Sequence, residues 1–177
     1  MLRIYLLLPL LGGCPAPPHW EQSAEEAGPS VLLQDSAKEA AFDLGLALDP
    51  VVDGRDGKAG TLHLTLELEA TFTGVGGTRP LTSLLLFAED PDEPVPQMAN
   101  VTPDEGGVTL YRVGYQHPCN PRKGLCELNY TVLFEQLGAG SVQVEWSARA
   151  VASGGQQAID VMSDETTVEL SIGETSL

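Results

Sequence analysis

The three cysteines are the residues of this chain whose type and spacing can support chemistry. Cys119 and Cys126 are close enough in sequence to form a disulfide, which leaves Cys14 as an odd cysteine. Such a bond persists in an oxidising compartment and would stabilise the fold by about 2 to 3 kcal/mol. Two free thiols are the alternative, and a zinc site is poorly supported because His117 is the only histidine nearby. The cysteines therefore predict an exported protein with one disulfide.

The segment before Cys14 has the three-part composition of an export signal. Residues 1–3 carry one positive charge, residues 4–11 are almost wholly apolar, and small residues follow at once. The apolar run is too short to span a bilayer, because a spanning helix needs roughly 20 apolar residues. The segment therefore predicts export, and not a transmembrane helix.

Residues 11–14, with the sequence Leu-Gly-Gly-Cys, resemble the lipobox of bacterial lipoproteins. The resemblance implies cleavage between Gly13 and Cys14, a diacylglyceryl group on the sulfur of Cys14, and often a further acyl chain on the new amino group. It also implies a protein anchored by lipid in the bacterial cell envelope, at the outer membrane or the periplasmic face. An ordinary cysteine inside a conventional secretory signal and the first strand of a cytosolic domain are the two alternatives.

The whole chain is strongly acidic, with a formal net charge of −16 at pH 7. A chain of this charge repels the phosphates of nucleic acids and of anionic lipids. We therefore expect no nucleic-acid partner. We expect membrane attachment through the lipid on Cys14 and not through a polybasic surface.

Carboxylates gather in two stretches, with Asp53 and Asp56 in the first and Asp90 and Asp92 in the second. They would offer oxygen ligands to calcium if the fold brought them together. Neither stretch follows the ligand spacing of an EF-hand, and solvated turn carboxylates are the favoured interpretation. We therefore predict no metal site, and these four residues are weak calcium candidates.

A catalytic constellation is not recognisable in the sequence. The motifs Gly-x-Ser-x-Gly and Ser-x-x-Lys are absent, and His19, His63 and His117 are scattered along the chain. These observations favour a protein that is not an enzyme and has no cofactor. An enzyme whose site is assembled from residues distant in sequence is the alternative.

The stretch between Cys119 and Cys126 carries two adjacent cations, Arg122 and Lys123, which is unusual in so acidic a chain. A disulfide would hold this stretch as a ring, and a preorganised loop loses less entropy on binding. The ring is therefore a candidate interaction loop for an envelope protein or a glycan. A structural staple with incidental charges is the alternative.

Alternation of apolar and polar residues predicts about seven strands, at residues 42–48, 62–72, 84–88, 108–115, 128–134, 142–150 and 168–172. Residues 84–88 are apolar on both faces, as expected for a strand that is central in a sheet or covered on its second side. Residues 128–134 and 142–150 are separated by a glycine-rich turn and predict a hairpin. We therefore expect an all-β, antiparallel two-sheet sandwich, of which the immunoglobulin-like and fibronectin III-like topologies are two forms, with a small β-barrel as the alternative.

The domain organisation follows from these patterns. Residues 1–13 form the signal peptide, residues 14–38 an acidic, proline-rich tether, and residues 39–177 the sandwich. We expect a lipid-anchored envelope protein that is a non-catalytic binding or accessory module for a protein or glycan. A structural spacer in an envelope assembly is the other non-enzymatic interpretation.

Overall fold

A computed structural model describes residues 19–52, 60–88, 97–114 and 116–175, which consist mainly of β-strands. The strands are β1 (Trp20–Ala27), β2 (Val31–Gln34), β3 (Glu39–Asp49), β4 (Leu62–Gly74), β5 (Thr82–Ala88), β6 (Gln97–Val101), β7 (Val108–Val113), β8 (His117–Cys119), β9 (Cys126–Gln136), β10 (Ser141–Gly154) and β11 (Thr167–Glu174). Two single helical turns complete the described elements, a 3-10 helix at Pro121–Lys123 and α1 at Gln156–Ile159.

The strands form two separate antiparallel sheets. The first sheet has the order β1-β10-β4-β7, with β2 also paired to β10 and β8 also paired to β4. The second sheet has the order β11-β3-β9-β5-β6. The predicted two-sheet sandwich is therefore confirmed. All seven predicted strands are present, and β1, β2, β6 and β8 are additional.

The core lies between the two sheets and follows directly from the alternation in the sequence. Every second residue of β4 faces inward and is at most 2% exposed: Leu62, Leu64, Leu66, Leu68, Ala70 and Phe72. Aromatic rings from both sheets meet in the centre, where Phe134 lies 6.0 Å from Phe72 and 5.5 Å from Trp146. Such ring pairs contribute about 0.5 to 1.5 kcal/mol each beyond their burial, so they hold the sheets together.

The predicted tether at residues 14–38 is wrong over most of its described part. Strands β1 and β2 both pair with β10, and the indole nitrogen of Trp146 donates a hydrogen bond to the carbonyl oxygen of Pro29, at 3.1 Å. The physical reason is that β1 carries almost no apolar signal. Its outward positions are polar and its inward positions, such as Gln22 and Ala24, are only half-buried. An edge strand of this kind has no period-2 pattern of hydrophobic residues to detect.

The predicted hairpin between residues 128–134 and 142–150 is also wrong. These residues lie in β9 and β10, which belong to different sheets. The connection at residues 137–140 passes from one sheet to the other, helped by Gly140 at a φ of 129°, where a side chain would be strained. Alternation shows which face of a strand is buried but does not show which strand lies beside it.

Candidate binding surfaces

Gly13 and Cys14, the predicted cleavage and lipid-attachment residues, lie outside the described residues. The description begins at His19, and β1 begins at Trp20, the sixth residue after Cys14. The side chain of Trp20 packs against the core. The chain therefore joins the folded domain much closer to Cys14 than a tether ending at residue 38 would allow.

The first strand begins at the end of the sandwich where the two paired cysteines lie. Ser153 of β10 is opposite both Glu21 of β1 and His63 of β4, and His63 is opposite Pro118 of β8. One transverse row therefore runs from β1 to β8 across three strand spacings, or about 14 Å. We call this end, which also carries α1, the anchor end.

The disulfide between Cys119 and Cys126 is confirmed, with 5.9 Å between the two Cα atoms. Cys119 ends β8 in the first sheet, and Cys126 begins β9 in the second sheet. The bond therefore joins the two sheets covalently at the anchor end, in addition to closing the loop between these strands.

The loop inside this ring, residues 120–125, is held in place by local contacts. The side-chain oxygen of Asn120 accepts a hydrogen bond from the backbone nitrogen of Arg122, at 3.0 Å. Pro121 is buried, and Gly124 has a φ of 83°, which favours glycine. Arg122 and Lys123 are exposed, and Leu125 is 56% exposed. The loop presents two cations and one apolar side chain on a fixed backbone.

The outer face of the first sheet carries a cluster of ionic contacts around Arg149. Its guanidinium donates to Glu67 and to Glu21, both at 3.0 Å, and to the hydroxyl of Ser23, at 3.2 Å. Partial burial lowers the pKa of Arg149, but the hydrogen bonds and charges of Glu67 and Glu21 outweigh it and raise the pKa. Sequence reasoning missed this cluster because Glu21 was assigned to the tether.

A shallow groove of about 330 Å³ lies beside this cluster. Its most prominent residue is Tyr111, which is 71% exposed. The negative charge of Glu69 raises the pKa of Tyr111, and a side-chain hydrogen bond between them adds to the shift. Arg112, on the same strand, donates to the carbonyl oxygen of Met98 in the second sheet, at 2.7 Å. The carboxylate of Glu69 and the guanidinium of Arg149, which both line the groove, are therefore already engaged within the protein.

The outer face of the second sheet presents an apolar row instead. Leu85 of β5 lies between Leu133 of β9 and Met98 of β6 in the pairing register, and Phe87 lies two residues further along β5. Met98 is 58% exposed and Phe87 is 36% exposed, and the two leucines are half-buried. We call these four residues the apolar row. The doubly apolar sequence at residues 84–88 was the signal for it.

The remaining candidates are a metal site and a membrane-spanning helix. Asp53, Asp56, Asp90 and Asp92, the weak calcium candidates, lie outside the described residues. Within the described ranges, no group of three or more His, Cys, Asp or Glu side chains could hold a metal ion. None of the helices in the described part of the chain is long and apolar enough to cross a membrane.

Comparisons with known proteins add no functional information. No protein-family model matches the chain, and no curated protein matches it. A solved structure of the infectious bursal disease virus Gx strain aligns with 98% of this chain, at 10% sequence identity and a TM-score of 0.35. The aligned part is 44% of that viral chain. A likeness of this size carries no argument about function.

Proposed function

We propose that this protein is a lipid-anchored protein of the bacterial cell envelope, attached through Cys14 at the outer membrane or the periplasmic face. Its sandwich is a non-catalytic binding module that holds a protein partner against the apolar row. Support for the anchor comes from the lipobox resemblance at residues 11–14, from the odd cysteine, and from a disulfide of the kind found in exported proteins.

The single observation that carries the binding role is the exposure of the apolar row. A chain with a charge of −16 has polar residues in abundance, yet β5 places Leu85 and Phe87 on the outside of the sheet. No described element of the chain covers them. Contiguous exposed apolar side chains mark surfaces that contact another protein. Met98 suits such a surface because its unbranched thioether adapts to a partner's shape.

The groove beside Tyr111 favours a second candidate, which is a glycan partner. A ring that is 71% exposed can pack against the apolar face of a sugar, and the neighbouring carboxylates can accept hydrogen bonds from hydroxyl groups. Glu69 and Arg149, however, are already engaged within the protein. A glycan would have to displace those contacts, so the protein partner is the better-supported proposal.

Capture from detergent-solubilised envelopes tests the proposed surface with a matched pair of variants. Met98→Lys places a charge in the apolar row, and Val113→Lys places the same charge on an edge strand of the other sheet, at a residue that is 56% exposed. We expect both variants to keep the melting temperature of the original protein. Met98→Lys should lose the partner that the original protein and Val113→Lys retain. A partner that stays bound to Met98→Lys contradicts the proposal.

A further inference from the structure

We infer that the loop at residues 120–125 contacts the lipid headgroups of the membrane that holds the protein, so that Arg122 and Lys123 meet lipid phosphates. The inference rests on the proposed lipid anchor at Cys14. It names the surface that faces the bilayer, whereas the apolar row names the surface that faces the partner.

The length of chain between the anchor and the fold carries the first step. Trp20 is the sixth residue after Cys14, and an extended chain spans at most about 3.6 Å per residue. The start of β1 therefore lies within about 22 Å of the lipidated residue. The transverse row at the anchor end extends only about 14 Å from β1 to β8, where the loop begins. The residues before β1 and this row together place the start of the loop within about 36 Å of the lipidated residue, so that the loop can reach the headgroups.

The length of the strands separates the opposite end of the sandwich from the anchor end. Strand β9 runs from Cys126 at the anchor end to Gln136, and its 11 residues span about 35 Å. The backbone nitrogen of Gln136 donates to the carbonyl oxygen of Lys38 at that far end. Lys38 is exposed, as Lys123 is. The chain thus has one exposed lysine near the proposed membrane contact and one far from it.

The chemistry of the loop fits a phosphate surface although the chain as a whole is acidic. Two adjacent cations project from a backbone fixed by the disulfide, by Asn120 and by buried Pro121, so little entropy is lost on contact. Each basic residue near an anionic bilayer is attracted to it, and the exposed Leu125 beside the two cations adds apolar contact. The lipid anchor holds the loop within reach, so even this modest attraction is enough.

Carboxylates at the same end determine which side faces the bilayer. Asp160, Asp164 and Glu165 are exposed and follow or end α1, and β11 then begins opposite Asp49. Phosphates repel these side chains, and the repulsion acts over about 10 Å at moderate salt. We therefore expect the domain to tilt so that the loop approaches the bilayer and the carboxylates turn away.

Lysine labelling tests the contact with an internal control. The mature protein is reconstituted in vesicles of phosphatidylethanolamine and phosphatidylglycerol, and the rates at which an amine-reactive reagent acetylates Lys123 and Lys38 are measured by peptide mass spectrometry. We expect Lys123 to react several-fold more slowly than in detergent micelles, with Lys38 unchanged. The slowing should weaken in phosphatidylcholine vesicles and at high salt. Leu125→Asp should abolish it, and Leu137→Asp, at a residue that is 49% exposed, should not.

The mass of the N-terminal peptide in the same samples distinguishes failure of the loop contact from failure of the lipid anchor. A protein that floats with the vesicles through an acylated Cys14, but shows the same ratio of labelling rates as in micelles, contradicts the loop contact and leaves the anchor intact. A protein that is not acylated and does not float with the vesicles contradicts the anchor, and the loop contact with it. No partner protein is present in this system, so slower labelling cannot come from one.

Discussion

The two outer faces of the sandwich differ in whether their side chains find contacts within the protein. On the first sheet, Arg149 pairs with Glu67 and Glu21, and the hydroxyl groups of Thr71 and Thr109 are 2.9 Å apart. On the second sheet, the apolar row has neighbours on either side in the sheet, and none of the described elements lies over it. A face whose polar groups find one another can remain in water at little cost. A face of exposed apolar side chains is stabilised when a partner covers it, and this difference is the reason that we propose the binding role for the second sheet.

The first prediction separates the stability of the fold from the chemistry of the two outer faces. Replacing Cys119 and Cys126 by Ser removes the covalent link between the sheets, and we expect the free energy of unfolding to fall by about 2 to 3 kcal/mol. Denaturant unfolding of the oxidised protein and of the double variant measures the change. Partner capture by the folded double variant should be unaltered, because neither cysteine lies in the apolar row. A double variant as stable as the original protein would contradict the stapling role.

The second prediction concerns the ionic cluster on the first sheet. Arg149→Ala should lower the free energy of unfolding by about 0.5 to 1 kcal/mol at low salt and by less at high salt, because the paired side chains are partly exposed and screened. Arg79→Ala removes the same charge from an exposed residue and is the control. Equal losses for the two variants would show that net charge, and not the cluster, accounts for the effect.

The third prediction concerns the apolar row, where we expect a substitution to change the exposed surface but not the stability of the fold. Phe87→Thr should change the free energy of unfolding by less than about 0.5 kcal/mol, since the ring is not part of the core and threonine is well accommodated in strands. It should nevertheless reduce binding of a dye that reports exposed apolar surface. Phe134→Ala, in the core, should cost about 3 to 5 kcal/mol. A loss of that size at Phe87 would mean that the apolar row holds the fold together and is not an open surface.

The smallest expected effect tests the hydrogen bond within the groove. Because the charge of Glu69 raises the pKa of Tyr111, Glu69→Gln should lower that pKa toward the ordinary tyrosine value. Tyrosinate absorbance during a pH titration, corrected with a Tyr111→Phe variant, would show ionisation beginning at lower pH. Glu127→Gln on the other sheet is the control. An unchanged titration would mean that the carboxylate does not engage the ring, and that the groove is freer to accept a ligand than the geometry indicates.

The elements that the sequence predicts are those with a local signal. The alternation of β4 is continuous over 13 residues, and the two paired cysteines are only 7 positions apart, so both could be read from neighbouring residues. The contact between Arg149 and Glu21 joins residues 128 positions apart, and β1 carries no apolar period. The doubly apolar pattern of β5 predicts a strand that is central in a sheet or covered on its second side; β5 is central, between β9 and β6, and only the structure shows that no described element covers its outer face. Pairing partners and surface clusters depend on the fold, and no local pattern records them.

Site-specific photo-crosslinking in intact cells tests most directly the claim that the second sheet holds the partner. A photoreactive residue is placed at Met98 in the apolar row and, separately, at Val113 on the edge of the first sheet, two sites that are 58% and 56% exposed. The predicted result is a discrete crosslinked adduct from Met98 and none from Val113. An adduct from Val113 alone, or no adduct from Met98, would contradict the claim.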